Sequence, residues 1–240
     1  MTVASTLLAR LFTAPVAAYE LRGAANAATL LPEEAGTCRA WRPKRLEEFA
    51  AGRVCARRAL ADLGVSGFAL RRNADRTAAW PDHIVGSISH TVGFCGAVAA
   101  PRTQFASIGI DVEVVTRVTP DLWAQILTPR EIAQLERLDV VGRERIAAIL
   151  FSAKEAFYKC QYRITEAWLD YRDVSLDLCA QEPRGGSFIV RAATPNARAI
   201  LGELTAQGTY RLEGTLVATG IALTRDAAEL LKPYRTMAIT

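Results

Sequence analysis

The spacing of apolar residues changes from a helical repeat to a strict alternation in the second half of the chain. Residues 143–162 carry an apolar stripe with a three- or four-residue repeat, which predicts a long amphipathic helix. Beyond it, Val174, Leu176 and Leu178 alternate with polar residues, and the segments SFIVRA and 210–223 continue as strands with a hairpin. Helices followed by strands indicate an α+β fold.

The first half of the chain contains shorter elements. A helix over 44–63 is closed by Gly64, and the segment 71–81 has no clear period, which predicts a loop. The segment SISHT is expected to form a tight turn before the strand FCGAVAA. The other expected elements are strands over 16–21 and 107–115 and a helix over 119–138 with an N-cap at Thr128.

Composition limits the classes of protein to which the chain can belong. Of its 240 residues, 50% are hydrophobic and 22% are charged, which is typical of a folded globular protein. The net charge of +4 comes without a long basic run, so no nucleic acid partner is indicated. The five cysteines form no CxxC pair, which favours a reducing cytoplasm without disulfides or zinc. We expect neither a signal peptide nor a membrane span.

Two acidic residues share one face of the strand SIGIDVEVV. Alternation puts Ile108, Ile110 and Val112 on the opposite face from Asp111 and Glu113. The two acidic residues are about 6 to 7 Å apart at the backbone, and their mutual repulsion would be relieved by a divalent cation such as Mg²⁺. The exposed face of an edge strand with arginine neighbours explains the pattern equally well.

A third acidic residue lies on the long helix, in the segment FSAKEAFYK. Ser152, Glu155 and Lys159 are spaced to form a polar stripe beside the apolar one. A solvated Glu–Lys pair is the ordinary interpretation of such a stripe. However, two of the four lysines in the chain, Lys154 and Lys159, fall within this segment. Carboxylates with adjacent lysine are what a site for magnesium and phosphate needs.

Several donors suited to phosphate lie earlier in the chain. Ser89 and His90 belong to SISHT, and Arg45 and Arg53 lie within about 80° of each other on the first long helix. A structural histidine and solvated surface arginines are the alternative explanations. His83 is given no role.

Taken together, EFAAGRVCARRAL, WPDHIVGSISHT, IGIDVE and FSAKEAFYK closely resemble the phosphopantetheinyl transferases of the surfactin-synthetase and enterobactin type. The resemblance runs from about residue 31 to 180. It implies a pseudo-twofold pair of similar α+β subdomains, residues 1–115 and 116–240, with the active site in the cleft between them. It also implies transfer of the 4′-phosphopantetheine arm of coenzyme A to a serine of an apo acyl or peptidyl carrier protein, with release of 3′,5′-ADP.

The resemblance further implies roles for individual residues. Asp111, Glu113 and Glu155 match magnesium ligands, and Glu155 also matches the proposed general base. Lys159 matches the lysine that contacts the pyrophosphate, so Glu155, Asp111 and Lys159 form the implied catalytic set. His90, with Ser89 beside it, matches the histidine at the coenzyme A phosphates. The remaining matches are in the nucleotide site of the mycobacterial-like branch: Arg45 and Arg53 at the 3′-phosphate, and Arg72 near a position that often holds a lysine beside the adenine.

The carrier protein is expected to present acidic helices to this mildly basic chain, as a partner in secondary metabolism. The surface around Ile126, Leu127 and the helix after Thr128 is the expected docking region, and the enzyme is expected to be monomeric. Two alternatives have other chemistry: a magnesium-dependent nuclease or phosphatase, and a noncatalytic carrier-protein or nucleotide-binding module. A restriction-like nuclease requires an acid-x-Lys on the strand, whereas Val115 stands at that position here.

Overall fold

The computed structural model describes residues 6–36, 38 and 41–231. The α-helices in these ranges are α1 Pro32–Ala35, α2 Pro43–Asp62, α3 Pro120–Ile126, α4 Pro129–Leu135, α5 Val140–Thr165, α6 Pro195–Leu201 and α7 Arg225–Glu229. The strands are β1 Ala17–Arg22, β2 Ile84–Thr91, β3 Phe94–Pro101, β4 Ser107–Val114, β5 Val174–Glu182, β6 Gly185–Ala192, β7 Ala206–Glu213 and β8 Leu216–Leu223. No described helix is both long enough and apolar enough to cross a bilayer.

The two long helices have clear start and stop signals. Pro43 occupies the first turn of α2, and Gly64 follows the helix at a φ of +80°. The side chain of Asp139 caps α5 by accepting a hydrogen bond from the Gly142 amide, and α5 ends at Glu166 in the left-handed conformation. The helices expected over 44–63 and 143–162 are therefore confirmed.

The strands form two antiparallel sheets. The first has the order β1-β3-β2 and the second has the order β4-β8-β7-β6-β5. Helix α2 packs on β1 and β3, and α5 packs on β4 and β8. The mixture of helices and sheets confirms the α+β class.

One chain order occurs in both halves. A strand is followed by a long helix and later by a hairpin, and the first strand pairs with the second strand of that hairpin. The first half gives β1, α2, β2 and β3, and the second gives β4, α5, β7 and β8, with β5 and β6 as an addition. This repeat agrees with two similar subdomains.

Side chains, not a backbone ladder, join β2 to β4. The hydroxyl of Ser87 accepts a hydrogen bond from the Ile110 amide, and the hydroxyl of Ser89 accepts one from the Val112 amide, both at 3.1 Å. On its other edge β4 pairs with β8, so its backbone belongs to the second sheet. The subdomain division near residue 115 stays a prediction.

The N-terminal segment spans both sheets through a 3-10 turn over Ala9–Leu11. A Cβ at Gly96 of β3 would lie 2.4 Å from the Leu8 side chain, and a Cβ at Gly220 of β8 would lie 2.9 Å from Leu11. Each leucine is therefore in contact with a glycine of a different sheet, and both leucines are buried.

Two sequence predictions were wrong in detail. SISHT lies within β2 and does not form a tight turn; its side chains alternate between the two faces of the strand. The helix expected over 119–138 is broken into α3 and α4, because Thr128 is extended and Pro129 begins a new helix. The strands expected over 16–21, 107–115 and 210–223 are present, and 71–81 is a loop apart from one bridge between Arg72 and Ala78.

Candidate active site

A cleft of about 770 Å³ lies between the two halves of the chain. Helix α2, strand β2 and the loop before β2 form one wall, and β4 and α5 form the other. The predicted site residues that line it are Arg45, Arg53, Arg72, Ser89, His90, Asp111, Glu113, Glu155 and Lys159. The structure thus brings every predicted site residue to one cavity.

Asp111 is the most buried acidic residue of the cleft, with 6% of its surface exposed. Its Oδ1 accepts hydrogen bonds from Lys159 Nζ at 2.7 Å and from Ser89 Oγ at 2.9 Å. Lys159 also donates to the Ile110 carbonyl at 3.2 Å. The ammonium of Lys159 therefore pairs with the buried carboxylate of Asp111.

Glu113 lies two residues further along β4, on the same face as Asp111. Its Oε1 accepts hydrogen bonds from Thr91 Oγ1 and from the Val114 amide, both at 2.9 Å. Thr91 and Ser89 both lie on β2, so each acidic residue of β4 accepts one hydrogen bond from a hydroxyl of that strand. Among the residues that the structure describes, none donates a hydrogen bond to the second oxygen of either carboxylate.

Glu155 reaches the cleft from α5. Its Oε1 accepts a hydrogen bond from the Tyr171 hydroxyl, which belongs to the 3-10 turn before β5. Burial, together with this hydrogen bond and the charge of Glu155, raises the pKa of Tyr171, so its hydroxyl stays a donor. The Tyr171 ring packs on Phe151, one helical turn before Glu155. Sequence reasoning missed Tyr171, because no spacing in the chain links residue 171 to residue 155.

The three carboxylates have oxygen donors of the kind that Mg²⁺ prefers. In the part of the chain that the structure describes, no three acidic, histidine or cysteine side chains are close enough together to hold a metal ion as they stand. Mg²⁺ commonly uses only one or two carboxylates and completes its octahedron with water and substrate phosphate. The donor set therefore fits magnesium bound together with a phosphate ligand.

His90 lies at the edge of the cleft beside α2. Its Nε2 is 3.2 Å from Arg45 Nη1 and 3.3 Å from Glu48 Oε2. Burial lowers the pKa of His90; the charge of Glu48 opposes this shift, and those of Arg45 and Lys159 add to it. The imidazole is therefore neutral at pH 7. Glu48, which was not among the predicted site residues, forms an ion pair with Arg45 at 3.1 Å and so positions Arg45 beside the ring.

Arg53 is buried on the same helix face as Arg45, and 6% of its surface is exposed. Its guanidinium lies 3.9 Å from the ring centre of Phe49, and its Nε has no hydrogen-bond partner among the described residues. Burial lowers its pKa to about 10, while Glu34 opposes the shift, so the group remains charged at neutral pH. Arg72 lies over the Trp41 ring at 5.4 Å. A buried cation with an unused donor is suited to an anionic ligand.

Several side chains that sequence position alone would put at the surface are buried here. Ser152 does not share the polar stripe with Glu155; it is fully buried and lies 2.9 Å from Thr219. Lys154 is buried in an ion pair with Glu131 at 2.7 Å, so it is not available for phosphate. Ile126 and Leu127 are 6% and 1% exposed, so these side chains cannot form a docking surface. The stripe on α5 was predicted from spacing along one helix, and spacing does not reveal what packs against each side chain.

Family profiles and individual proteins match the sequence of this chain. A family profile described as "4'-phosphopantetheinyl transferase N-terminal domain" matches residues 32–100, and one described as "4'-phosphopantetheinyl transferase superfamily" matches residues 107–211. The chain is 34% identical to the 4'-phosphopantetheinyl transferase PptT of Mycobacterium tuberculosis, over 92% of this chain and 97% of that protein. It is 38% identical to the 4'-phosphopantetheinyl transferase Svp of Streptomyces mobaraensis, over 69% of this chain and 67% of that protein.

Among solved structures, the holo-[acyl-carrier-protein] synthase of Thermotoga maritima matches with a TM-score of 0.37 at 20% identity, over 49% of this chain and 62% of that one. The resemblance noted in the sequence is confirmed by the matched profiles and relatives. The chain belongs to the 4′-phosphopantetheinyl transferase family.

Proposed function

We propose that the cleft binds coenzyme A and Mg²⁺ and transfers the 4′-phosphopantetheine arm to a serine of an apo acyl or peptidyl carrier protein, releasing 3′,5′-ADP. One observation carries this proposal. Asp111 and Glu113 of β4, and Glu155 and Lys159 of α5, line one cavity together with the arginines of α2. Acidic residues for a metal and basic residues for phosphates therefore face the same space.

The three carboxylates are the proposed magnesium ligands. When bound, the ion supplies positive charge to the pyrophosphate oxygens and stabilises the leaving 3′,5′-ADP. Ser89 and Thr91 hold Asp111 and Glu113 by one oxygen each, which fixes the direction of both side chains. Tyr171 does the same for Glu155.

Lys159 is the proposed pyrophosphate contact. Its ammonium is only partly buried and already lies beside Asp111, so it can neutralise an incoming phosphate without moving far. Glu155 is the proposed general base, and it takes the serine proton either directly or through a water molecule. Transfer of this type depends on in-line positioning and on neutralised oxygens more than on covalent chemistry.

The arginine side of the cleft is the proposed nucleotide site. Arg45 and Arg53 bind the 3′-phosphate, Ser89 and His90 contact the coenzyme A phosphates, and Arg72 lies near the adenine. The unused Nε of Arg53 and the paired position of Arg45 beside His90 support this assignment. In a neutral imidazole, Nε2 can accept a hydrogen bond from Arg45, which leaves the N–H at Nδ1 to donate to a phosphate.

The proposed partner presents an acidic helix beside its serine, which complements the net charge of +4. We propose further that the enzyme acts as a cytoplasmic monomer and serves a secondary metabolic pathway. Its docking face lies elsewhere than Ile126 and Leu127, because those side chains are buried.

The test is incubation of the protein with coenzyme A, Mg²⁺ and a panel of apo-carrier proteins, followed by intact-mass measurement of each carrier. One added phosphopantetheine group on at least one carrier is the expected result, and it should disappear with EDTA and return with Mg²⁺. Carriers whose serine is replaced by alanine are the matched control. No addition to any carrier, with cleavage of DNA or of phosphate esters instead, would overturn the proposal.

A further inference from the structure

The loop before β2 is a small hairpin that borders the cleft. Residues Arg72 and Ala78 form a bridge, the Asn73 amide donates to the Thr77 carbonyl at 2.9 Å, and the Arg76 amide donates to the Asn73 carbonyl at 3.0 Å. This pattern describes a three-residue turn, Ala74 to Arg76, between two short extended arms.

Arg76 closes this turn with a φ of +73°. A three-residue hairpin turn commonly ends in the left-handed conformation, and glycine is the residue that adopts it without a clash of Cβ. An arginine there is strained, and strain of this kind persists where the surroundings hold it and often where function needs it. Glycine at this position would adopt the same backbone conformation without strain.

Neighbouring contacts hold the turn in place. Asp75 accepts hydrogen bonds from both the amide and the hydroxyl of Thr77, at 3.0 and 2.7 Å. Arg163, near the end of α5, donates to the same hydroxyl at 3.2 Å. The hairpin of the first half is therefore fastened to the long helix of the second half, across the cleft.

The side chain of Arg76 lines the cleft with Arg53, Arg72 and Lys159. It is exposed, and among the described residues its guanidinium has no ion-pair or hydrogen-bond partner. Arg72 on the same hairpin lies over Trp41, and its charge acts on buried Arg53. The strained residue therefore adds an unpaired cation to a cleft that already contains several basic side chains.

We propose that Arg76 binds a phosphate group of coenzyme A, and that this contact is the reason for an arginine at a position suited to glycine. This inference rests on the proposed function, since it takes coenzyme A as the occupant of the cleft. Arg76 acts in binding, so it is expected to change the affinity for coenzyme A and not the rate of the chemical step.

Three variants test the proposal. R76Q removes the charge and keeps the Cβ, R76G removes the charge and the strain, and R71Q removes an exposed arginine of the same loop that does not line the cleft. Coenzyme A binding is measured by calorimetry without carrier or Mg²⁺, and unfolding is followed by circular dichroism. We expect R76Q and R76G to bind coenzyme A about five- to tenfold more weakly, the loss of one exposed charge-assisted contact. R76G should also melt about 2 °C higher than the wild type.

The proposal is overturned if R76Q and R76G bind coenzyme A as tightly as the wild type, or if R71Q weakens binding equally, which would indicate a general charge effect. Transfer by the wild-type protein is measured in parallel. If the wild type binds coenzyme A but modifies no carrier, the proposed function fails while the binding comparison still decides the role of Arg76. If transfer proceeds and affinity is unchanged in the Arg76 variants, only the inference about Arg76 fails.

Discussion

The ammonium of Lys159 lies 2.7 Å from Oδ1 of Asp111, so a helix of the second half and an acidic residue of β4 share one ion pair at the bottom of the cleft. Neither charge is isolated in the absence of ligand. A substitution of either residue therefore changes the electrostatic environment of the other.

Asp111→Asn removes a proposed metal ligand and leaves the Lys159 charge without its carboxylate. We expect the rate of phosphopantetheine transfer to fall by about 100-fold or more, while the melting temperature changes little because the amide keeps the shape of the side chain. The rate is read from intact-mass time courses. Asp177→Asn is the matched control, since Asp177 pairs with Arg130 and Arg191 outside the cleft and should leave the rate within twofold.

Glu155→Gln separates proton transfer from substrate binding. The amide keeps an oxygen that can accept the Tyr171 hydroxyl, so the local structure should survive. We expect a transfer rate lower by at least about 100-fold, with coenzyme A affinity measured without Mg²⁺ within twofold of the wild type. A normal transfer rate would exclude Glu155 as a base by either route.

Arg53→Met tests the nucleotide end of the cleft. Coenzyme A and dephospho-coenzyme A differ by the 3′-phosphate, so loss of a cation that contacts this phosphate should reduce the preference between them. We expect the KM for coenzyme A to rise about tenfold or more and that for dephospho-coenzyme A to change far less. Arg58→Met, an exposed position on the same helix, is the control. An equal effect on both substrates would place the 3′-phosphate elsewhere.

Lys154→Met tests the buried ion pair that joins α5 to α4. Both side chains are 1% exposed, and Glu131 also accepts hydrogen bonds from the amides of Thr128 and Leu176. Loss of the lysine leaves a buried carboxylate without its cation, which costs about 3–5 kcal/mol in the free energy of unfolding. Urea denaturation measures the change. Arg130→Met, which breaks an exposed pair, should cost less than about 1 kcal/mol; similar losses in both variants would contradict this account.

The lowered pKa of His90 gives the fold a dependence on pH. Burial, the largest cause, makes the folded protein release this proton at a lower pH than the unfolded chain does, whose histidine has the ordinary value of 6.5. Protons therefore favour the unfolded state, and stability falls as the pH drops through 6.5 until the folded pKa is passed. Urea denaturation between pH 7.5 and about 5.5 should show a smaller fall for His90→Gln than for the wild type. Equal falls would mean that His90 does not contribute.

The elements of the site were predictable from the sequence because each carries a local signal. The alternation around Asp111 gives the strand, and the apolar stripe around Glu155 gives the helix. Because the motifs resemble those of a known family, they also indicated which residues share the cleft.

The partners within the site were not predictable in this way. Tyr171 donates a hydrogen bond to Glu155, and Glu131 pairs with Lys154, only because separate elements pack together. Lys154 is an example. It lies next to Glu155 in the sequence, but its side chain points into the core, where it forms an ion pair with Glu131. Arg76 went unnoticed because a positive φ is visible only in the backbone.

The serine contacts between β2 and β4 make the joint between the two sheets a polar one. Without the hydroxyls of Ser87 and Ser89, the buried amides of Ile110 and Val112 would lose their acceptors. A buried amide without an acceptor costs about 1–3 kcal/mol in the free energy of unfolding. The side chains that line the cleft on β2 therefore also contribute to holding the two halves of the chain together.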